Sequence, residues 1–131
     1  MPIETHWANN IQSILIEKFH DVWTWHQVSE ACQTKIHPLL HNMNQPIVLI
    51  QDMIGSHWTP TTNLLQDVQE TMQTPCPENI VMVVVVSGNP AIDTLLVSAY
   101  KRAGQQSCIY QACPTVNQAI RVAGDYLSLK D

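Results

Sequence analysis

The chain has 131 residues, 45% of them hydrophobic and 13% charged, with a net charge of −5 at neutral pH; that length suits one domain with its own core. The acidic balance, with Lys18, Lys35, Lys101, Arg102, Arg121 and Lys130 scattered rather than striped, argues against nucleic acid and anionic membrane as partners. No apolar run reaches the roughly 18 residues of a membrane span, and there is no basic-then-apolar start, so the expected location is the cytoplasm.

Two short strands are expected first, Glu4–Ala8 and Gln12–Phe19, joined at Asn9-Asn10 into an antiparallel hairpin, since Asn tolerates left-handed backbone. Thr24-Trp25-His26-Gln27 is a capping box, in which Thr24 accepts from the third helical amide and Gln27 reaches back. Trp25, Val28, Cys32, Ile36, Leu39, Leu40 and Met43 then follow at helical spacing as one apolar stripe, which Pro38 should kink or break. Ile47–Ile50 is an unbroken apolar strand running into Gln51-Asp52, and Met53–Thr59 reads as a loop. Thr59-Pro60 is a cap with proline at the first helical position, Leu64, Leu65, Val68 and Met72 give the buried stripe, and Pro75 and Pro77 end the helix.

Ile80–Gly88 follows, with four consecutive valines and no polar alternation. Neither face of such a strand expects water, which places it inside a parallel sheet covered on both sides. Asn89-Pro90 repeats the cap-plus-proline signal. Ile92, Leu95, Leu96, Ala99, Tyr100 and Ala103 make an amphipathic helix that Gly104 should close in left-handed conformation. Ser107–Gln111 is a short strand, Thr115-Val116-Asn117-Gln118 a second capping box, and Val116, Ala119, Ile120, Ala123 and Leu127 the stripe of a last helix. The order β-β-α-β-α-β-α-β-α implies an α/β fold, with right-handed crossovers, a mostly parallel sheet of four to five strands and an antiparallel edge strand.

Val22-Trp23-Thr24-Trp25, Pro46–Asp52, Pro60, Ile80–Gly88 and the Thr-x-x-x-Ala of Thr115 to Ala119 carry a resemblance to the STAS-like proteins typified by bacterial anti-sigma-factor antagonists of the SpoIIAA-like group, nearest an uncharacterised bacterial branch. It runs from Gln12 to Leu127 and implies one STAS-like domain, residues 1–131, acting as a regulatory or binding module. Antagonists of that class carry a phosphorylatable serine in an Asp-Ser-Ser-Gly-type motif after the strand matched by Ile47–Ile50. This chain has Gly55-Ser56-His57-Trp58-Thr59-Pro60-Thr61-Thr62 there and no Asp-Ser pair.

In parallel sheets, sites form outside the carboxyl ends of the strands. That edge offers Asp52, Met53, Ser56, His57, Trp58, Ser87, Gly88, Asn89 and Thr115; of these, Asp52, Ser56, His57, Trp58, Ser87 and Asn89 are the candidate ligand- or partner-binding residues. Ser56, Thr61 and Thr62 are candidate phosphorylation positions, because phosphate near a helix start is electrostatically favoured. The function expected is a non-enzymatic module that engages a protein partner or small ligand. The alternative is a small hydrolase using the Asp52–His57 loop, but adjacent Ser56 and His57 are poorly placed for a serine–base hydrogen bond, and no Gly-x-Ser-x-Gly turn exists. No catalytic residue, metal site or cofactor is assigned: there is no phosphate loop or dinucleotide fingerprint, and His37 and His41, four apart, lack further zinc ligands in the pattern. Cys32, Cys76, Cys108 and Cys113 have no CxxC spacing and read as reduced thiols. The thinly charged surface admits a homodimer.

Overall fold

The computed structural model describes residues 2–59, 63–73, 77–104 and 107–130. A five-stranded sheet has the spatial order β1 (Ile3–Trp7), β2 (Ile14–Phe19), β4 (Ile47–Asp52), β6 (Ile80–Val86), β7 (Ile109–Ala112). β1 runs antiparallel to β2, and every other pair is parallel. From β2 onward each crossover advances in the same direction across the sheet, so right-handedness puts the connecting helices on one face. These are α1 (Trp25–Ala31), α2 (His37–Leu40), α3 (Leu64–Met72) and α4 (Pro90–Ala103). The last helix, α5 (Val116–Lys130), covers the opposite face.

The valine strand serves both layers. Met82, Val84 and Val86 pack with Ile14, Ile16, Val48 and Ile50 beneath Ala119, Ala123 and Leu127 of α5. Val83 and Val85 face the larger core, with Leu15, Leu49, Trp25, Val28, Val68, Leu96 and Tyr100. Ile80 also belongs to that larger core, because the register shifts between Ile47↔Ile80 and Val48↔Met82. The extra residue, Val81, reverses the alternation at that point.

Local chemistry explains most element boundaries. Thr24 and Gln27 form both halves of the capping box at α1. Asn89 accepts from the Ala91 and Ile92 amides, with Pro90 as the first residue of α4. The Thr115 hydroxyl accepts from Gln118 N–H at 3.2 Å at the start of α5.

Several expectations need correction. The left-handed residue of the hairpin is Gln12 (φ 57°), while Asn9 acts through its side chain, accepting from the Ser13 and Ile14 amides. Pro38 has no N–H to donate, and the helix responds upstream of it. Cys32–Ile36 is a π-helical stretch in which His37 N–H reaches Cys32 O, and α2 continues from it. That widening rotates Leu39 off the stripe to 39% exposure. Leu95 likewise lies on the outer face of α4. The described start of α3 is Leu64, capped by Asn63, whose side chain accepts from Gln66 N–H at 3.1 Å. Pro60, Thr61, Thr62, Pro75 and Cys76 lie outside the described residues. Gly104 is extended (φ −87°, ψ −174°) rather than left-handed. Glycine is required there for space, since a Cβ would collide with the Tyr110 hydroxyl and the Tyr100 carbonyl.

Candidate functional site

The register Asp52↔Val86 brings the carboxyl ends of β4 and β6 side by side, and Met53 N–H donates to Val86 O at 2.8 Å. The Asp52, Ser56 and Ser87 segments therefore meet at one edge of the sheet. The segment expected as a plain loop holds a short strand, β5 (His57–Trp58), which pairs in parallel with β3 (Val22–Trp23) as a separate two-stranded ribbon. Long-range pairing created it: His57 N–H donates to Asp21 O and Thr59 N–H to Trp23 O, both at 2.8 Å.

The side chains of Asp52, Ser56, Ser87 and Asn89 at this edge are already engaged. Asp52 pairs with Lys18 at 3.2 Å and accepts from Ile54 N–H, and Lys18 also donates to Ile54 O. The Ser56 hydroxyl donates to Met53 O at 2.7 Å and accepts from the indole N–H of Trp23 at 3.0 Å. Ser87 donates its hydroxyl to Asp93 at 2.5 Å, and its backbone N–H goes to the same carboxylate oxygen. Asn89 is committed to the α4 amides. Among the described residues no hydrogen bond joins the side chains of Asp52, Ser56 and His57, so the serine has no base.

Trp58 is half-buried and tilts against Trp23 and Trp25, with ring centroids 5.7 and 6.0 Å away. It belongs to a run of aromatic contacts that continues through Trp25–Tyr100 to Tyr100–Tyr110. His57 is exposed, as are Val22 (63%) and Ile54 (41%) at the same edge. An open groove of about 560 Å³ adjoins them, lined by Pro2, Glu4, His20, Asp21, Val22 and Gln27. His37 and His41 sit far from this edge, in a cleft of about 670 Å³ with Glu78 near the start of β6. Among the described residues no group of three or more metal-binding side chains converges. Among the described residues no disulfide joins Cys32, Cys108 and Cys113, and burial, with the negative charge of Asp93, pushes Cys113 up in pKa, away from reactivity.

A second polar cluster lies inside the larger core. Glu17 is 1% exposed; its Oε1 accepts from Gln51 Nε2 at 3.1 Å, and Gln51 Oε1 accepts from the Tyr100 hydroxyl at 2.7 Å. Glu17 Oε2 is buried without a hydrogen-bond partner among the described residues. Burial pushes the Glu17 carboxyl from 4.5 to about 7, against the opposing pull of the Gln51 hydrogen bond and the Lys35 charge. The sequence carries a signal for this group. Leu15, Glu17 and Phe19 alternate onto one strand face, as do Leu49 and Gln51 on the neighbouring strand, so polar residues stand in register where apolar ones are expected.

Comparison with known proteins bears on the fold. No family model matches the chain, and no curated protein matches it. A crystal structure of an uncharacterised protein of the DUF3478 family from Shewanella loihica PV-4, described as having a SpoIIAA-like fold, is similar with a TM-score of 0.63 and 12% identity, over 92% of this chain and 91% of that one. At that identity the likeness concerns architecture alone. Together with the antiparallel first strand and the parallel order that follows it, it shows that the chain has a SpoIIAA-like fold.

Proposed function

We propose that this chain is a non-enzymatic binding module that engages a protein partner at the carboxyl ends of its parallel strands. The observation that carries the reading is the contrast at that edge. Hydroxyls and carboxylates that could do chemistry are tied into the scaffold, while Val22, Ile54 and His57 face outward. Exposed apolar side chains beside a groove bearing Glu4 and Asp21 suit a partner segment with apolar and basic residues. Trp58 braces the ribbon from behind.

Ser56 is held by the fully buried Trp23, so a phosphate there would have to break that bond. A switch on Thr61 or Thr62 remains part of the proposal, though both lie outside the described residues. The test compares the wild-type chain with a V22E/I54E double variant in affinity capture with chemical cross-linking. The expected result is a specific partner held by the wild type and lost by the variant. Turnover of generic ester or phosphate substrates that disappears in H57A would overturn the reading in favour of a hydrolase.

A further inference from the structure

β1 lies at one end of the five-stranded sheet, so its outer side has no neighbouring strand among the described residues. His20 N–H donates to Pro2 O and Ala8 N–H to Ile14 O, which turns the even-numbered residues of β1 toward β2. Ile3, Thr5 and Trp7 therefore aim their N–H and C=O groups away from the sheet. Among the described residues one bond reaches that row, from the Lys35 ammonium to Ile3 O at 2.7 Å. The amides and carbonyls of Thr5 and Trp7 meet no partner among the described residues. The register of β1 with β2 runs without a bulge, and the strand contains no proline, so its edge stays regular enough to receive another strand.

The side chains select the occupant. Glu4 and His6 are both exposed and, two residues apart, stand on one face of β1. A second copy of β1, laid antiparallel with Thr5 opposite Thr5, pairs Ile3 with Trp7 through backbone bonds on either side. The intervening positions, where side chains approach most closely, then set each Glu4 opposite the partner's His6. Glu4 Oε2 meets His20 Nε2 at 3.2 Å, and His6 has no partner among the described residues. A carboxylate thus faces an imidazole N–H donor twice about one two-fold axis. Sliding the strands by one step sets Glu4 against Glu4 in one direction and His6 against His6 in the other, so the charges single out this register. On the opposite face Thr5 meets Thr5 and the half-buried Trp7 meets Ile3, pairings that suit antiparallel strands.

We propose that the outer edge of β1 is a self-pairing surface, through which two copies of this chain join their sheets antiparallel about Thr5. Lys35 closes one end of the edge in the single copy. Its ammonium has to leave Ile3 O as the partner's Trp7 N–H arrives, which its flexible stem permits. A contact of five residues per copy is small, so the dimer is weak, with a dissociation constant of about 10 μM to 1 mM.

Sedimentation of the full chain from about 10 μM to about 1 mM, which brackets that constant, should show reversible dimer formation. Over the same range the Thr5 and Trp7 amides should exchange hydrogen more slowly, while those of Glu4 and His6, bonded to β2, are protected throughout. E4K and H6E should each weaken the dimer roughly tenfold, and the E4K/H6E swap, which restores opposite charges across the axis, should recover most of that loss. T5P removes an outward N–H without touching the bonds to β2 and should hold the chain monomeric. If T5P does not fold, the charge series decides. A chain that stays monomeric throughout overturns the proposal, as does a dimer in which the Thr5 and Trp7 amides are unaffected or the charge swap brings no recovery.

Discussion

Glu17 should dominate the pH dependence of stability. Its carboxyl titrates near 7 in the folded chain against 4.5 ordinarily, so the native state holds the proton more tightly than the unfolded one. Its contribution is therefore fully present below about pH 4.5 and is lost as pH rises through about 7, a change on the order of 3 kcal/mol. Urea denaturation across that window should show the decline in the wild type and a flatter profile in E17Q. Ser56 makes a different residue-scale prediction. In S56A the indole N–H of Trp23, itself 1% exposed, loses its acceptor, which should cost about 1–3 kcal/mol, measurable as a lower urea midpoint. A Ser56 hydroxyl serving catalysis rather than the scaffold would leave stability unchanged on removal.

Among the elements, those fixed by local chemistry were the legible ones. The caps at Thr24, Asn89 and Thr115 act through side chains a few residues from the amides they satisfy, so sequence spacing suffices to find them. T24A should destabilise the chain by about 0.5–2 kcal/mol through loss of that cap. The ribbon of β3 and β5 was invisible for the converse reason: each strand has two residues, and what makes them strands is a partner more than thirty residues away. Gly104 falls between these cases. The sequence points to glycine at a helix end, but Tyr110, arriving on β7, dictates why no side chain fits. G104A should therefore cost roughly 1–3 kcal/mol by overpacking, seen in thermal or urea unfolding, although its backbone angles suit alanine.

At the scale of the whole molecule, the proposed docking edge and the stabilising core should be separable. Val22 and Ile54 are exposed, so V22E/I54E should leave stability within about 0.5 kcal/mol of wild type while abolishing partner capture. Equal loss of stability and binding would mean that the edge is structural instead. The sequence by itself determined the order of the five main-sheet strands and the helical segments between them, the parallel sheet and its antiparallel first strand, because an all-apolar strand such as Ile80–Val86 is stable only between two covering layers and crossover handedness then leaves little choice. It also marked the edge where Asp52 and Ser87 meet. Only the tertiary structure decided which polar groups at that edge are free, since hydrogen bonds such as Trp23 to Ser56 join distant segments. It likewise decided that Glu17 lies beneath α1, α3 and α4, where removal from water, a property of the assembled layers rather than of the residue, makes the carboxyl weakly acidic.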